Sequence, residues 1–310
     1  MSAANNKIAA VIVTYNRLPM LKKCVDALLR QNADQFDILL IENASTDGTG
    51  DYGAAAAAGS ERVFYHNTGA NLGGAGGFSY GIRTGVTEGY DYLWLMDDDT
   101  IAEETALEEL LRAAATLKDE FGFLSSLALW TDGTPCRMNI PEVSEHWWEE
   151  TNGIFEEGLI RINCASFVSL FLKASVVKQI GLPIKEFFIW GDDTEYTMRV
   201  SRQYPCYFAY HSKVVHEMKS NNMTSIQDEA EGRLNRYRYL YRNLYYIARS
   251  GRKKDQLNYM IEVKNTVKDL LRSGRKDKWQ RVRIVLGSYL SGMRFRPEIE
   301  YVDSQDAEGK

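Results

Sequence analysis

Short apolar runs and helix-spaced apolar residues alternate through most of the chain. Residues 7–13 form a β-branched apolar run of the kind a buried parallel strand shows, and it stops at the polar turn Thr14-Tyr15-Asn16-Arg17. Leu18, Leu21, Cys24, Val25, Leu28 and Leu29 then recur at helical spacing. A second strand over 36–41 ends in a polar stretch, 42–49, and a small alanine-rich helix over 53–58 leads to a third strand over 62–66. The glycine-rich stretch 67–78 opens a helix that runs to Glu88. A fourth strand, 92–96, runs straight into Asp97-Asp98-Asp99-Thr100. Leu107, Leu110, Leu111, Ala114 and Leu117 mark an amphipathic helix, and 121–130 reads as a strand. This alternation predicts an α/β fold with a parallel, doubly wound sheet and right-handed crossovers.

In such a sheet the ligand lies outside the carboxyl ends of the strands. Four polar clusters fall at strand ends here, 14–17, 42–49, 67–77 and 97–99, so four strand ends converge on one crevice. Three consecutive carboxylates repel one another unless a cation sits among them, although a solvated acidic turn has the same composition. The glycine cluster lacks a P-loop lysine and is not a GxGxxG after the first strand, so it implies neither ATPase chemistry nor dinucleotide binding. Its glycines allow either a tightly packed turn or close approach of backbone N–H groups to a ligand at a helix start.

Residues 131–162 show no clear period, and Trp147-Trp148 within them reads as a core corner or as an acceptor-side platform. The apolar stretch 165–177 passes through a helix to Gly181-Leu182-Pro183. A second acidic centre follows, Trp190-Gly191-Asp192-Asp193-Thr194-Glu195, and then a helix and a short strand over 206–210, with His211 and His216 beyond it. Helical stretches over 227–250, 256–271 and 278–293 complete the chain. The expected division is a catalytic domain over 1–225, a basic helical region over 226–303, and a disordered tail over 304–310.

The 310 residues are 45% hydrophobic, enough for a real core. The four cysteines contain no CxxC pair, which argues against zinc and against a disulfide framework. No signal-peptide pattern opens the chain and no apolar run reaches bilayer length, so a cytoplasmic protein is expected. The net charge of −5 hides an asymmetry: residues 229–297 hold 18 Lys/Arg against 6 Asp/Glu, leaving 19 against 36 elsewhere. No nucleic-acid motif accompanies the interleaved arginines and tyrosines, so no nucleic-acid partner is expected. A bundle with tyrosines inside and arginines in water, an oligomer interface, and a surface for anionic lipids or a lipid-diphosphate-linked glycan all fit that region.

Taken together, VIVTYNR at 11–17, ENASTDGT at 42–49, NLGGAGGF at 71–78, the DDD triplet and WGDD at 190–193 resemble the family 2 glycosyltransferases. The resemblance covers roughly residues 7–220 and is greatest to the bacterial galactofuranosyltransferases; rhamnosyltransferases that use dTDP-rhamnose share much of the frame.

The resemblance implies the GT-A nucleotide-diphospho-sugar transferase fold and an inverting, metal-dependent transfer from a UDP-sugar, UDP-galactofuranose, to a glycan acceptor of the cell surface. It implies Asp97 and Asp99 as ligands of Mn2+ or Mg2+, with His216 completing the shell and His211 as its rival. Asp98 is expected at the donor sugar or ribose. Thr14, Arg17 and Asn43 are expected at the uridine end, with phosphate an alternative for Arg17, and Gly73 and Gly74 close to the diphosphate or ribose. Asp193 is the implied base and Asp192 its partner, roles that exchange if the alignment shifts by one. Trp190 either stacks on an acceptor sugar or packs beside the helix. The rivals from other classes are a glycoside hydrolase with paired carboxylates and a non-catalytic sugar-nucleotide- or glycan-binding subunit.

Overall fold

In the computed structural model, which describes residues 6–150 and 153–303, the early apolar runs are buried strands. β1 (Ile8–Thr14) is buried at every position and β2 (Asp37–Glu42) nearly so, because strands covered on both faces bury both rows of side chains. Between them α1 (Leu18–Leu29) carries Pro19 in its first turn and turns Leu21, Cys24, Val25 and Leu28 inward. α2 (Thr49–Gly59) starts earlier than its alanines suggest: Gly48 at φ +87° turns the chain, and the Asp47 carboxylate accepts the Thr49 N–H. β3 (Val63–Asn67), α3 (Gly73–Thr87) and β4 (Tyr92–Asp97) follow. A Cβ at Gly77, Gly81 or Gly85 would run into Val13, Val11 or Leu93, so this glycine row lets α3 lie directly on the sheet.

The second half comprises β5 (Thr100–Ala102), α4 (Ala106–Thr116), β6 (Phe123–Leu129), β7 (Glu142–Val143), β8 (Leu159–Cys164), β9 (Leu170–Lys173), α5 (Ala174–Ile180), α6 (Asp192–Ser201) and β10 (Tyr207–His216). The strand order is β3-β2-β1-β4-β9-β6-β10-β8-β7, with β5 paired to β10. β1 to β4 pair in parallel, as do β6 and β10, but β9 is inserted antiparallel between β4 and β6. The mostly parallel central sheet of the expected GT-A fold is thus present, with β9 antiparallel to both of its neighbours and β8 antiparallel to β10. An apolar run buried on both faces carries no mark of its direction.

Ile12, Trp94 and Leu110 belong to the apolar layer on one side of the sheet, and Val11, Leu95 and Phe78 to the layer on the other. A third apolar cluster joins α7 (Tyr237–Ser250), α8 (Lys253–Arg272) and α9 (Lys278–Arg294) through Tyr237, Tyr241, Tyr245, Leu270 and Val285. Residues 231–236 form a 3-10 turn, so the helix expected from 227 begins later. The picture of arginines in water fails at Arg281, which is fully buried, ion-paired to Asp277 and donating to the Ile226 and Glu229 carbonyls. After α9 the chain returns to α3, where Arg83 pairs with Glu300 and donates to the Tyr301 and Val302 carbonyls. The tail expected over 304–310 lies outside the described residues. Among those residues no helix is long and apolar enough to cross a membrane.

Candidate active site

β4 ends at Asp97, and the turn beyond it enters β5, which pairs antiparallel with the last residues of β10 so that His216 stands opposite Thr100. That pairing brings Asp97, Asp99 and His216 together, with one ligand atom from each lying within 4.8 Å of the others. His216 Nε2 is 3.2 Å from Asp99 Oδ1, a buried atom with no other partner among the described residues. Two side chains fix the ring: Nδ1 is 2.8 Å from Asn139 Oδ1, and Asn139 Nδ2 donates to Ser166 Oγ at 2.8 Å. Asn139 thus presents an acceptor to Nδ1, which leaves Nε2 facing the carboxylates as a lone pair in the neutral ring. Two carboxylates and an imidazole held in this way form a donor set that suits Mn2+ or Mg2+, with the nitrogen favouring manganese. The rival histidine, His211, is exposed on β10 and packs its ring against Tyr210.

The three aspartates differ in their surroundings. Asp97 is partly open to solvent, whereas Asp98 and Asp99 are buried. Burial, then Asp99, raises Asp97 to about 6. Burial raises Asp98 to about 7 against the pull of Arg17. Burial works on Asp99 too, but His216 and Arg17 outweigh it and hold that carboxyl below its ordinary value. Burial also lowers His216, but the carboxylates prevail and lift it to about 10.

The residues expected at the nucleotide each have partners within the protein. Thr14 is buried and donates to Asp98 Oδ2 at 2.8 Å, so its hydroxyl supports the triplet from behind. Arg17, about half exposed, pairs with Asp99 Oδ2 at 2.8 Å and with Asp98 Oδ1 at 3.4 Å. Asp98 is thus engaged by both Thr14 and Arg17. Asn43 is buried, donates Nδ2 to the Gly73 carbonyl and accepts from Thr68. Gly73 is required by packing: at φ +71°, a Cβ there would collide with the Phe188 carbonyl. Gly74 has open space above its Cα and remains available for close approach.

The second acidic centre occupies the first turn of α6, where Gly191 turns the chain at φ +84°. Asp192 is buried, and its carboxyl is pushed well up by burial and then by Asp193. Asp193 is partly open; among the described residues only its Oδ1 accepts hydrogen bonds, both from Thr194. Burial raises Asp193 also. The two centres face each other closely enough that Asp193 raises Asp97 and Asp97 raises Asp192. Trp190 packs beside Tyr237 at 5.1 Å with the Arg236 guanidinium over its ring. Trp147 and Trp148 are 40% and 60% exposed, which excludes a core corner.

Periodicity alone missed Asn139 and Asn243. Asn139 lies in the stretch without a period. Asn243 sits among tyrosines on α7, where aromatics on every side of one helix are the available sign that both faces are covered.

Residues 9–127 match the model of Glycosyl transferase family 2. Galactofuranosyltransferase GlfT1 of Mycobacterium tuberculosis (strain ATCC 25618 / H37Rv) is 29% identical over 201 residues, 63% of this chain and 64% of its own length. Its counterpart from Mycolicibacterium smegmatis is 28% identical over 208 residues, 63% and 65% of the two chains. Undecaprenyl-phosphate mannosyltransferase of Micrococcus luteus is 36% identical over 112 residues, 36% of this chain and 45% of its own. The chain thus spans less than two thirds of the length of these curated relatives. The crystal structure of S. aureus TarS 1-349 superposes with a TM-score of 0.56 at 14% identity, covering 92% of this chain and 80% of that one, a likeness of fold alone. Residues 9–127 are thus similar to Glycosyl transferase family 2, and the chain has the GT-A fold.

Proposed function

We propose that the protein is an inverting, metal-dependent glycosyltransferase that moves galactofuranose from UDP-galactofuranose to a cell-surface polysaccharide precursor. The observation that carries this reading is the pair of facing acidic centres, Asp97–Asp99 with His216 on one side and Asp193 on the other. Asp97, Asp99 and His216 would hold the divalent ion, Mn2+ or Mg2+, which when bound supplies Lewis-acid stabilisation of the departing diphosphate. Arg17 balances the buried charge of Asp98 and Asp99 and adds a cation beside the phosphates. Asp193 takes the proton of the acceptor hydroxyl as it attacks from the face opposite the leaving group. Asp192, whose raised carboxyl favours the neutral form, keeps a second negative charge away from that base.

The GlfT1 relatives support galactofuranose as the sugar. Two observations support a lipid-linked acceptor at an anionic membrane surface on the cytoplasmic side. One is the undecaprenyl-phosphate mannosyltransferase among the relatives. The other is α9, whose outer face carries Trp279, Leu286, Leu290 and Met293, all exposed, within a segment (275–296) of seven Lys/Arg and one acid, Asp277. A second copy of the chain is the competing occupant of that face.

Donor turnover tests the reading. With purified protein and Mn2+, UDP release from UDP-galactofuranose is expected, with none of dTDP from dTDP-rhamnose. The reverse pattern would replace the donor, and binding without turnover of either would make the chain a sugar-nucleotide-binding subunit.

A further inference from the structure

The loop that delivers Asp192 and Asp193 has a backbone its own residues do not favour. Phe188 and Trp190 have φ of +63° and +66°, and Gly191 follows at +84°. Bulky side chains persist at positive φ only where the surroundings impose it.

The surroundings here are α7. Asn243, fully buried on that helix, has its Nδ2 within 3.0 Å of the Phe187 carbonyl, 3.2 Å of the Ile189 carbonyl and 2.8 Å of the Trp190 carbonyl. Three carbonyls drawn to one amide group require the reversal that the dihedral angles record. The amide cannot turn over, because its Oδ1 accepts from Arg242 Nε at 3.0 Å and from a second guanidinium N–H at 2.9 Å. Arg242 also donates to the Glu186 carbonyl. From the opposite side the Phe188 carbonyl accepts from Ala75 N–H, at the start of α3, and the Phe188 ring stacks on Tyr239. The loop is thus held between the glycine-rich turn and the basic helical region.

We infer that Asn243 is a positioning residue for the acceptor base: it sets the loop before α6, and through it the direction in which the first helical turn presents Asp193. The inference rests on the reading of Asp193 as that base. It makes the basic C-terminal helices a working part of the active site.

Asn243→Asp in the full chain isolates the donor role, since it keeps an oxygen for Arg242 and removes the N–H groups aimed at the three carbonyls. Mn2+ and UDP binding should stay close to wild type, whereas melting temperature should fall, because a buried carboxylate then faces three carbonyls that have lost their donor. Amide exchange across 187–194 should rise about tenfold or more as the loop loosens. UDP release from UDP-galactofuranose should fall about 100-fold in kcat with donor KM unchanged, because a misplaced base affects the reacting geometry and not donor affinity. A merely structural role would instead lower Mn2+ and UDP binding along with turnover. If Asn243→Asp does not accumulate folded, Arg242→Lys, which loses the two-pronged contact to Oδ1, should show the same local rise in exchange to a smaller degree. Unchanged exchange over 187–194 in a folded variant overturns the inference. Full transfer by Asp193→Asn would overturn the base assignment separately, leaving the exchange result to judge the clamp alone.

Discussion

His216 Nε2 stands 3.2 Å from Asp99 Oδ1, a buried oxygen with no other partner among the described residues. With Nδ1 against the Asn139 oxygen, a neutral imidazole turns a lone pair toward a carboxylate. Such a pair is stable only with a cation or a proton nearby, which is why His216 in the metal-free chain holds its proton up to about 10.

Mn2+ should therefore displace a proton. At neutral pH calorimetry in two buffers of different ionisation enthalpy should report about one proton released per ion bound, and affinity should rise with pH. Asn139→Leu should weaken Mn2+ binding by about 10- to 100-fold without changing the ligand set, as loss of an orienting partner does. Affinity that is flat with pH and equal in the two proteins would remove both His216 and Asn139 from the site. EDTA should abolish transfer.

The aspartate triplet, the WGDD segment and the four convergent strand ends were legible because each joins an abrupt change of polarity to a strand end or helix start. What each residue touches was not legible. Thr14 and Asp98 lie on different strands, and only the parallel pairing of β1 with β4 places that hydroxyl against that carboxylate. Asn43 and Gly73 suit a nucleotide by residue type, but the amide holds the Gly73 carbonyl and the glycine makes room for Phe188. The direction of β9 and the roles of Asn139 and Asn243 depend on long-range packing that no local period encodes.

Asp193→Asn should lower transfer by about 10²- to 10⁴-fold while Mn2+ and donor binding persist, because the amide keeps the shape and loses the basic oxygen. Burial raises the Asp193 carboxyl, and the base must be ionised to act. The acid limb of kcat against pH should then lie above the ordinary carboxylate range of about 4, with activity rising as pH rises through it. An acid limb at the ordinary value, or wild-type transfer by the variant, would reassign the base.

Asp98 should leave its mark on stability. Burial, opposed by Arg17, raises it to about 7, so the folded chain binds that proton more tightly than the unfolded one, whose aspartate titrates near about 3.9. Its contribution is full below the unfolded value and is lost as pH rises through about 7. Asp97, raised to about 6, acts in the same direction. Metal-free protein should thus lose melting temperature between about pH 4 and about pH 8, and Asp98→Asn should flatten that fall. Superimposable curves for the two proteins would show that Asp98 ionises normally.

The outer face of α9 offers a test that leaves the chemistry untouched. Leu286 and Leu290 are 43% and 58% exposed, one helical turn apart, and Arg283 precedes them by one turn. A bilayer would take up the two leucines and attract the surrounding cations, so sedimentation with phosphatidylglycerol vesicles should exceed that with neutral phosphatidylcholine and fall as salt rises. Leu286→Glu with Leu290→Glu should reduce vesicle binding about tenfold or more while donor turnover in detergent-free solution stays at wild-type level, since both side chains are exposed and neither belongs to the acidic centres. If the double variant instead dissociates a dimer and vesicle binding does not change, the face belongs to a second copy of the chain and the membrane assignment falls.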